Sequence, residues 1–285
     1  MRWPIKLNQE ALPRWCRKFI PAKGDPRKLL QPDSEPDSFE CCISSIKIDS
    51  TWKSTRKQRQ ILSDRLIVEA ASSMSMPTVL EIGASSGSTS MELLDSLGDN
   101  FTRYYVTDVF FDLKCVTRNG VTYFYHPLTG ECIMRVTDRF LVYKDVRNAI
   151  FPLGMIANRL ITNAPHIGAT DTTILNFLHP ELRLRIASDA RIIVTAHNIH
   201  DPWAHEMLDI VKVANVFNRL YFSDAEILNA LTNLKTALKS SGKLVITDNR
   251  DIEMVSMFYM SEAGSFVLEK EINGGTSIAE LVKRC

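Results

Sequence analysis

Hydrophobic positions along this chain switch repeatedly between a period of two and a period near 3.6, the signature of alternating strands and helices. Thr78 to Leu80 is a short β-branched run ending at Glu81, and MELLDSL at 91–97 follows with helical spacing. Tyr104 to Thr107 predicts a second strand ending at Asp108, Arg191 to Ala196 a third, and 208–214 a fourth ending at Asn215. Ile227, Leu228, Leu231, Leu234 and Leu238 then recur at helical spacing. Ser223 and Glu226 supply a capping box at the start of that helix, and Gly242 a stop at its end. KLVITDNRD predicts a fifth strand, and VSMFYM and SFVLEKEI predict two more around Glu262, Ala263 and Gly264.

Outside this frame the pattern is weaker. Residues 1–50 read as a partly irregular N-terminal extension, with Pro21 to Asp37 extended. Trp3, Trp15, Phe19 and Ile20 suggest a short helix near 8–20 that docks on the main domain, covers its substrate, or stays a tethered tail. Residues 51–73 predict a helix. Its buried face is Trp52, Ile61, Leu62, Leu66, Ile67 and Ala70; Lys53, Arg56, Lys57, Arg59 and Arg65 form a basic face that either meets an acidic partner or RNA or is merely solvated. The main domain is expected over 51–285, with an insertion at 113–185. VTYFYHPLTGECIMRVTDRFLVYKD predicts a β-hairpin with a third strand, turning at Pro127 to Gly130. FPLGMIANRLI predicts an apolar helix. An insertion between strands two and three lies beside a ligand crevice, so it either recognises substrate or supports a homodimer.

The most informative stretch is TVLEIGASSGSTS at 78–90. A strand, a tight glycine turn and a helix start follow one another there. Gly83 permits a turn with positive φ, Gly87 a close backbone approach, and helix-start amides offer donors to anionic groups. A dinucleotide fingerprint needs G-x-G-x-x-G, but Ser85 stands at the middle glycine, leaving E-x-G-x-x-x-G. This turn resembles motif I of the class I S-adenosylmethionine (SAM)-dependent methyltransferases. LKSSGKLVI is similar to the L-x-x-G-G-x-L-x-I segment of the same family, and the last two strands suit its closing hairpin. The resemblance implies a Rossmann-like α/β fold, a seven-stranded sheet flanked by helices, with SAM as cofactor. It implies that Glu81, Gly83, Ala84, Ser85 and Gly87 surround the methionine part, that Asp108 accepts from the ribose hydroxyls, and that Asn198 and Ile199 face the adenine. Asp112 is the rival acid, expected in a turn or helix cap. HNIHDP with DIVKVANVFNRLYF also resembles the chemotaxis-receptor-type methyltransferases, although Ala214 stands where that group has arginine.

Methyl transfer from a sulfonium needs placement more than covalent help, so the lack of a catalytic triad fits. Asn215 at the end of strand four is expected to orient SAM or substrate, and His200 is the candidate general base. Asn218, Arg219 and Tyr221 either contact substrate or cap the strand and the next helix; Asp248, Asn249, Arg250 and Asp251 either support the site from behind or are turn residues. His197, His200 and His205 look metal-like in spacing, but Pro202 interrupts them and no metal is expected. A net charge of +1 gives no bulk case for nucleic acid, so a small or medium organic acceptor is favoured over protein or RNA. The aromatic-rich insertion could wall such a pocket or be only its own core. A catalytically inactive binding protein of the same fold and a nicotinamide-dependent oxidoreductase are the competing functions. No apolar run reaches about 18 residues, which predicts no membrane span. Six scattered cysteines without C-x-x-C predict reduced thiols and a cytoplasmic protein.

Overall fold

The computed structural model describes residues 1–13, 15–16, 20–30, 36–49, 51–53, 58–168, 171–249 and 251–285, the side chains of 36–38 excepted. The chain opens with β1 (Ile5–Asn8), β2 (Ala22–Lys23), α1 (Pro36–Ile43), β3 (Lys47–Ile48) and β4 (Thr51–Trp52). It continues through α2 (Ile61–Ser72), β5 (Thr78–Ile82), α3 (Ser88–Leu97) and β6 (Arg103–Asp108). Then come β7 (Asp112–Arg118), β8 (Val121–Tyr125), β9 (Cys132–Val136), β10 (Phe140–Tyr143), α4 (Leu153–Thr162) and β11 (Thr172–Asn176). The last part holds α5 (Pro180–Ser188), β12 (Ile192–Ala196), β13 (Leu208–Ala214), α6 (Asp224–Ala237), β14 (Leu238–Asn249), β15 (Glu253–Met260), β16 (Phe266–Ile272) and α7 (Ala279–Arg284). These elements form two compact units, one of Met1–Thr55 with Phe110–His179, the other of Arg56–Val109 with Pro180–Cys285.

The second unit is a mixed α/β body with a mostly parallel seven-stranded sheet flanked by helices. Its strand order is β12-β6-β5-β13-β14-β15-β16. The first five are parallel neighbours, and β15 and β16 close the sheet as an antiparallel meander. β5 is buried along its whole length, as a central parallel strand must be. One core joins Leu80, Val211, Val213 and Leu244 of the sheet to Ile227, Leu231 and Leu234 of α6 and Val282 of α7. Each such fully buried aliphatic side chain stabilises the fold by about 1.5–3 kcal/mol. Leu66, Ile67, Ala70 and Ala71 of α2 are also buried, and α2 packs on α3, β14 and β15.

The first unit carries its own seven-stranded sheet, ordered β11-β7-β8-β9-β10-β1-β2. β1 pairs antiparallel with β10, so the N-terminal residues complete the sheet of the insertion. Phe39, Ile43 and Ile46 cover one face together with Phe124, Met134, Tyr143 and Phe177. Ala157 and Ile161 of α4 cover the other, against Val116, Tyr125 and Val142.

Several expectations are corrected here. The extension at 1–50 and the insertion at 113–185 are parts of one unit, because β1 needs β10 to satisfy its backbone groups. Where the helix near 8–20 is expected to begin, Asn8 ends β1 and Gln9–Ala11 form a 3₁₀ turn, and Trp15 is exposed; residues 14 and 17–19, with Phe19, lie outside the described residues. The helix expected at 51–73 spans only Ile61–Ser72, since Trp52 is drawn into the β3–β4 hairpin. Ile61 faces solvent, and Ser63 and Asp64 take its expected place inside. Of the basic face, Arg56 and Lys57 lie outside the described residues. Asp112 opens a strand rather than a turn. α6 ends at Ala237, five residues before Gly242, and Gly242 instead follows left-handed Ser241 within β14. No helix among the described residues is long and apolar enough to cross a membrane.

Candidate functional site

Chain order in the second unit's sheet reverses between β5 and β13: β6 and β12 lie on one side of β5, β13 and β14 on the other. Ligands of open α/β sheets bind outside the carboxyl ends of the strands at such a reversal. The glycine turn leaves β5 at this point. Gly83 and Ala84 donate their N–H groups to the Thr107 carbonyl at 2.9 and 3.0 Å, which ties the turn to β6. Ser85 donates its N–H to Asp108 Oδ2 at 2.8 Å. Gly83, Ser85 and Gly87 have φ of 80°, 58° and 75°, a left-handed run that two glycines make affordable.

What the glycines make room for is specific. A Cβ on Gly83 would lie 2.5 Å from Val216 Cγ2 and 3.2 Å from the Ala214 carbonyl oxygen. The turn thus closes against the end of β13. A Cβ on Gly87 would lie 2.1 Å from Leu182 Cδ2, so the close approach here is that of a buried leucine from α5. The positive φ and the packing of α5 both call for glycine here. Ser85 Oγ and Ser90 Oγ are buried and have no hydrogen-bond partner among the described residues. Buried hydroxyls in native folds are normally paired, and an orphan beside a turn at a switch point fits a polar ligand.

Glu81 has a different setting. It is fully buried, accepts from the Tyr104 hydroxyl at 2.8 Å, and lies 3.2 Å from Lys212 Nζ at ion-pair distance without hydrogen-bond alignment. Lys212 also donates to Asp64 Oδ1 at 2.7 Å. Lys212 on β13 is the cross-strand partner of Glu81 on β5, so an ion cluster spans the two strands of the reversal. Burial opposes the Lys212 ammonium, but the two carboxylates outweigh it and raise its pKa. Burial lifts the Asp64 carboxyl to about 6, outweighing the attraction of Lys212. Two carboxylates sharing one ammonium in a dry interior reconcile these shifts: the lysine stays charged and one acid holds its proton more tightly. The sequence hinted at this cluster, because Lys212 interrupts the apolar run DIVKVA and Asp64 stands on the apolar face of α2.

Asn215 is exposed, has φ of 58°, and accepts the Asn249 N–H on Oδ1 at 2.6 Å, joining the ends of β13 and β14. Gly83, Asp108 and Asn215 therefore all lie at carboxyl ends of neighbouring strands. The loop after β12 is less convergent. Asn198 Oδ1 accepts from His200 N at 3.1 Å in a local turn, and the Ile199 side chain is buried in the sheet core. The His200 ring packs edge-on against Phe222 with centroids 5.1 Å apart, and its carbonyl accepts from Asn233 Nδ2 at 2.7 Å. His197 and His205 both pack against Trp203. The described residues hold no group of three or more side chains able to take a metal ion. All six cysteines are free.

No protein-family model and no curated protein matches this chain. Among solved structures it is similar to the N-methyltransferase NodS from Bradyrhizobium japonicum WM9, at 17% identity over 67% of this chain and 68% of that one, with a TM-score of 0.35. It is similar to the trans-methyltransferase CalH, solved with SAH, at 15% identity, 65% and 35% coverage and a TM-score of 0.34. It is likewise similar to SibL, a SAM-dependent methyltransferase in its apo form, at 12% identity, 66% and 36% coverage and a TM-score of 0.34. The chain spans only about a third of CalH and of SibL. At these identities and scores the likeness carries no argument about activity, and the strand order and the turn bear the reading that follows.

Proposed function

We propose that the second unit binds SAM at the β5–β13 reversal and transfers its methyl group. The observation that carries this reading is the single turn at 83–87, set at the topological switch point, with the Asp108 carboxylate fixed to it through Ser85 N. Asp108 closes the strand next to β5, where a carboxylate can accept from vicinal ribose hydroxyls. Ser85 Oγ and the turn backbone would hold the methionine part. Asn215 would orient the reacting end from the tip of β13. SAM supplies the electrophilic methyl, so the chain's tasks are to bind, to align a nucleophile and to exclude water.

The reading is tested by thermal shift with SAM, S-adenosylhomocysteine and NAD, since a ligand that binds only the native state raises apparent stability. A shift with SAM or S-adenosylhomocysteine and none with NAD is expected; a shift with NAD alone refutes the proposal. Asp108→Ala is expected to weaken SAM by about 1–3 kcal/mol in calorimetry on folded protein. Methyl transfer from labelled SAM into fractionated cell extract, lost in Asp108→Ala, separates an enzyme from a binding protein.

A further inference from the structure

The net charge of +1 conceals a division. The first unit's sequence carries 17 Lys and Arg against 12 Asp and Glu, a net of +5, and the second 17 against 21, a net of −4. Within the first unit, strand register brings two of the lysines together. β1 runs parallel to β2 with Asn8 opposite Lys23, so Lys6, Asn8 and Lys23 leave the sheet on one face. Lys6 is opposite Leu141 of β10, whose face also carries Tyr143. That face is the one covered by α1 and the β3–β4 hairpin. There Lys6 Nζ lies 4.3 Å and Lys23 Nζ 5.0 Å from the centroid of the Trp52 ring. Lys6 Nζ is also 5.6 Å from the centroid of Tyr143, which meets Trp52 edge-on at 5.0 Å.

The two ammonium groups are not held alike. Lys23 donates to the Ser44 carbonyl at 3.3 Å. Lys6 Nζ rests on the two rings, and among the described residues neither a carboxylate nor a carbonyl meets it. The buried lysines all have such acceptors: Lys53 bonds the Phe110 carbonyl, Lys47 the carbonyls of Asp49 and Asp145, and Lys212 two carboxylates. Lys47 is the cross-strand partner of Trp52, but its ammonium is turned to those carbonyls. The Asp25 carboxylate beyond Asn8 is paired with Arg27. Cys41 of α1 acts on Lys23, and the Tyr143 hydroxyl donates to the Ser45 carbonyl and is kept neutral by burial.

Two half-buried cations on one indole repel each other, and the repulsion ends when one gives up its proton. The lysine without an acceptor loses least by doing so. Burial, and after it the charge of Lys23, push Lys6 from 10.5 down to about 8. At pH 7 such an amine is unprotonated roughly 300 times as often as an ordinary lysine. A desolvated lysine beside a second cation is an activated nucleophile toward carbonyl compounds.

We infer that Lys6 captures a small oxo acid as an imine, with Lys23 meeting the acid's carboxylate and Trp52 packing against its carbon frame. The Lys6 lone pair attacks the carbonyl carbon, a C=N bond forms and the C=O bond is lost. Both amine hydrogens leave with the carbonyl oxygen as water, so the step needs no oxidant or reductant. The unit's positive excess and the carboxylate-free pair favour an anionic carbonyl compound over a neutral one. The site lies wholly within the first unit, so the inference does not rest on SAM binding, and it is measured without cofactor.

The experiment treats the full chain with glyoxylate and sodium cyanoborohydride, which reduces an imine to a stable secondary amine, and locates the adducts by peptide mass spectrometry. Glycolaldehyde, similar in size but neutral, is run beside it. At pH 7 Lys6 should be trapped at least about tenfold faster than exposed Lys114, since lower basicity cancels only part of the gain in free amine. Urea should abolish the difference. The ratio of glyoxylate to glycolaldehyde trapping should be higher at Lys6 than at Lys114. Lys23→Gln should slow glyoxylate trapping at Lys6 and bring the two ratios together, while Lys23→Arg keeps both near native. Lys6→Arg, which keeps the charge, should remove the fast adduct and leave Lys114 unchanged. Trapping at Lys6 no faster than at Lys114 in the folded native chain, or equal ratios at the two lysines, would overturn the inference without any variant. An unchanged Lys6 rate in folded Lys23→Gln would overturn it as well.

Discussion

Lys212 is the residue whose surroundings cost most to disturb. It is fully buried between Glu81 and Asp64, and Tyr104 donates to the same glutamate. Removing one partner of a buried ion cluster leaves the others uncompensated, so Lys212→Met should cost about 3–5 kcal/mol in urea unfolding. The pH dependence of Asp64 has a definite sign. Its carboxyl is raised from 3.8 to about 6 in the fold. The native state therefore keeps a proton that the unfolded chain releases, and the stability gained is full below about pH 4 and lost as pH rises through 6. Asp64→Asn should remove that fall, flattening melting temperature against pH between about 4 and 6. Gly87 makes a second residue-scale test. An alanine there must hold a left-handed φ and displace Leu182. Gly87→Ala should destabilise by about 2–4 kcal/mol, combining backbone strain with overpacking. Adding Leu182→Ala should cost less than the sum of the two single changes, and strict additivity in urea unfolding would contradict the contact.

At the scale of elements, ends are decided by side chains that the local sequence supplies in one case and not in another. α6 carries its own capping box: Ser223 N and Oγ donate to Glu226 Oε2, both at 2.7 Å, and Glu226 N donates to Ser223 Oγ at 3.4 Å. Ser223→Ala should cost about 1 kcal/mol by chemical unfolding. α2 is capped from a distance instead. Glu253 of β15 accepts from Leu62 N at 2.7 Å, and from Ser63 N and Oγ at 2.9 and 2.7 Å. That is why a helix expected from residue 51 starts at Ile61: its N-terminal donors are satisfied by a strand 190 residues away. α6, in turn, stops at Ala237 because Leu238 joins β14 against β13, and a ladder across strands outweighs helical spacing.

Over the whole molecule, the first unit is discontinuous in sequence. Residues 1–55 give it β1, β2 and α1, and its core mixes Leu29, Phe39 and Ile43 with Leu113, Phe124 and Phe177. Residues 110–179 expressed alone should therefore fail to fold, with one sheet face and the β10 edge uncovered. Poor dispersion in an amide NMR spectrum would show this, and a spectrum of a native domain would contradict it. The same discontinuity explains how a nearly neutral chain can carry a basic body. Charge summed along the sequence averages over two units that the fold separates.

The elements of the second unit were legible because their causes are local. β-branched runs made strands, 3.6-spaced leucines made α6, and E-x-G-x-x-x-G marked a turn that needs positive φ. Asp108 at the end of β6 and Asn215 at the end of β13 could be placed for the same reason, each closing a period-two run. Other features depend on residues distant in sequence and show no local signal. The meeting of Glu81 with Lys212 and Tyr104, and the burial of the Ile199 side chain in the sheet core, are of this kind. Gly87 was readable as a required glycine, but only packing shows that it makes room for Leu182. The N-terminal residues look irregular, since they hold only two of the seven strands of a sheet whose other five come from residues 112–176. Periodicity fixes what a segment can become on its own; pairing and burial across distant segments fix which partners satisfy it.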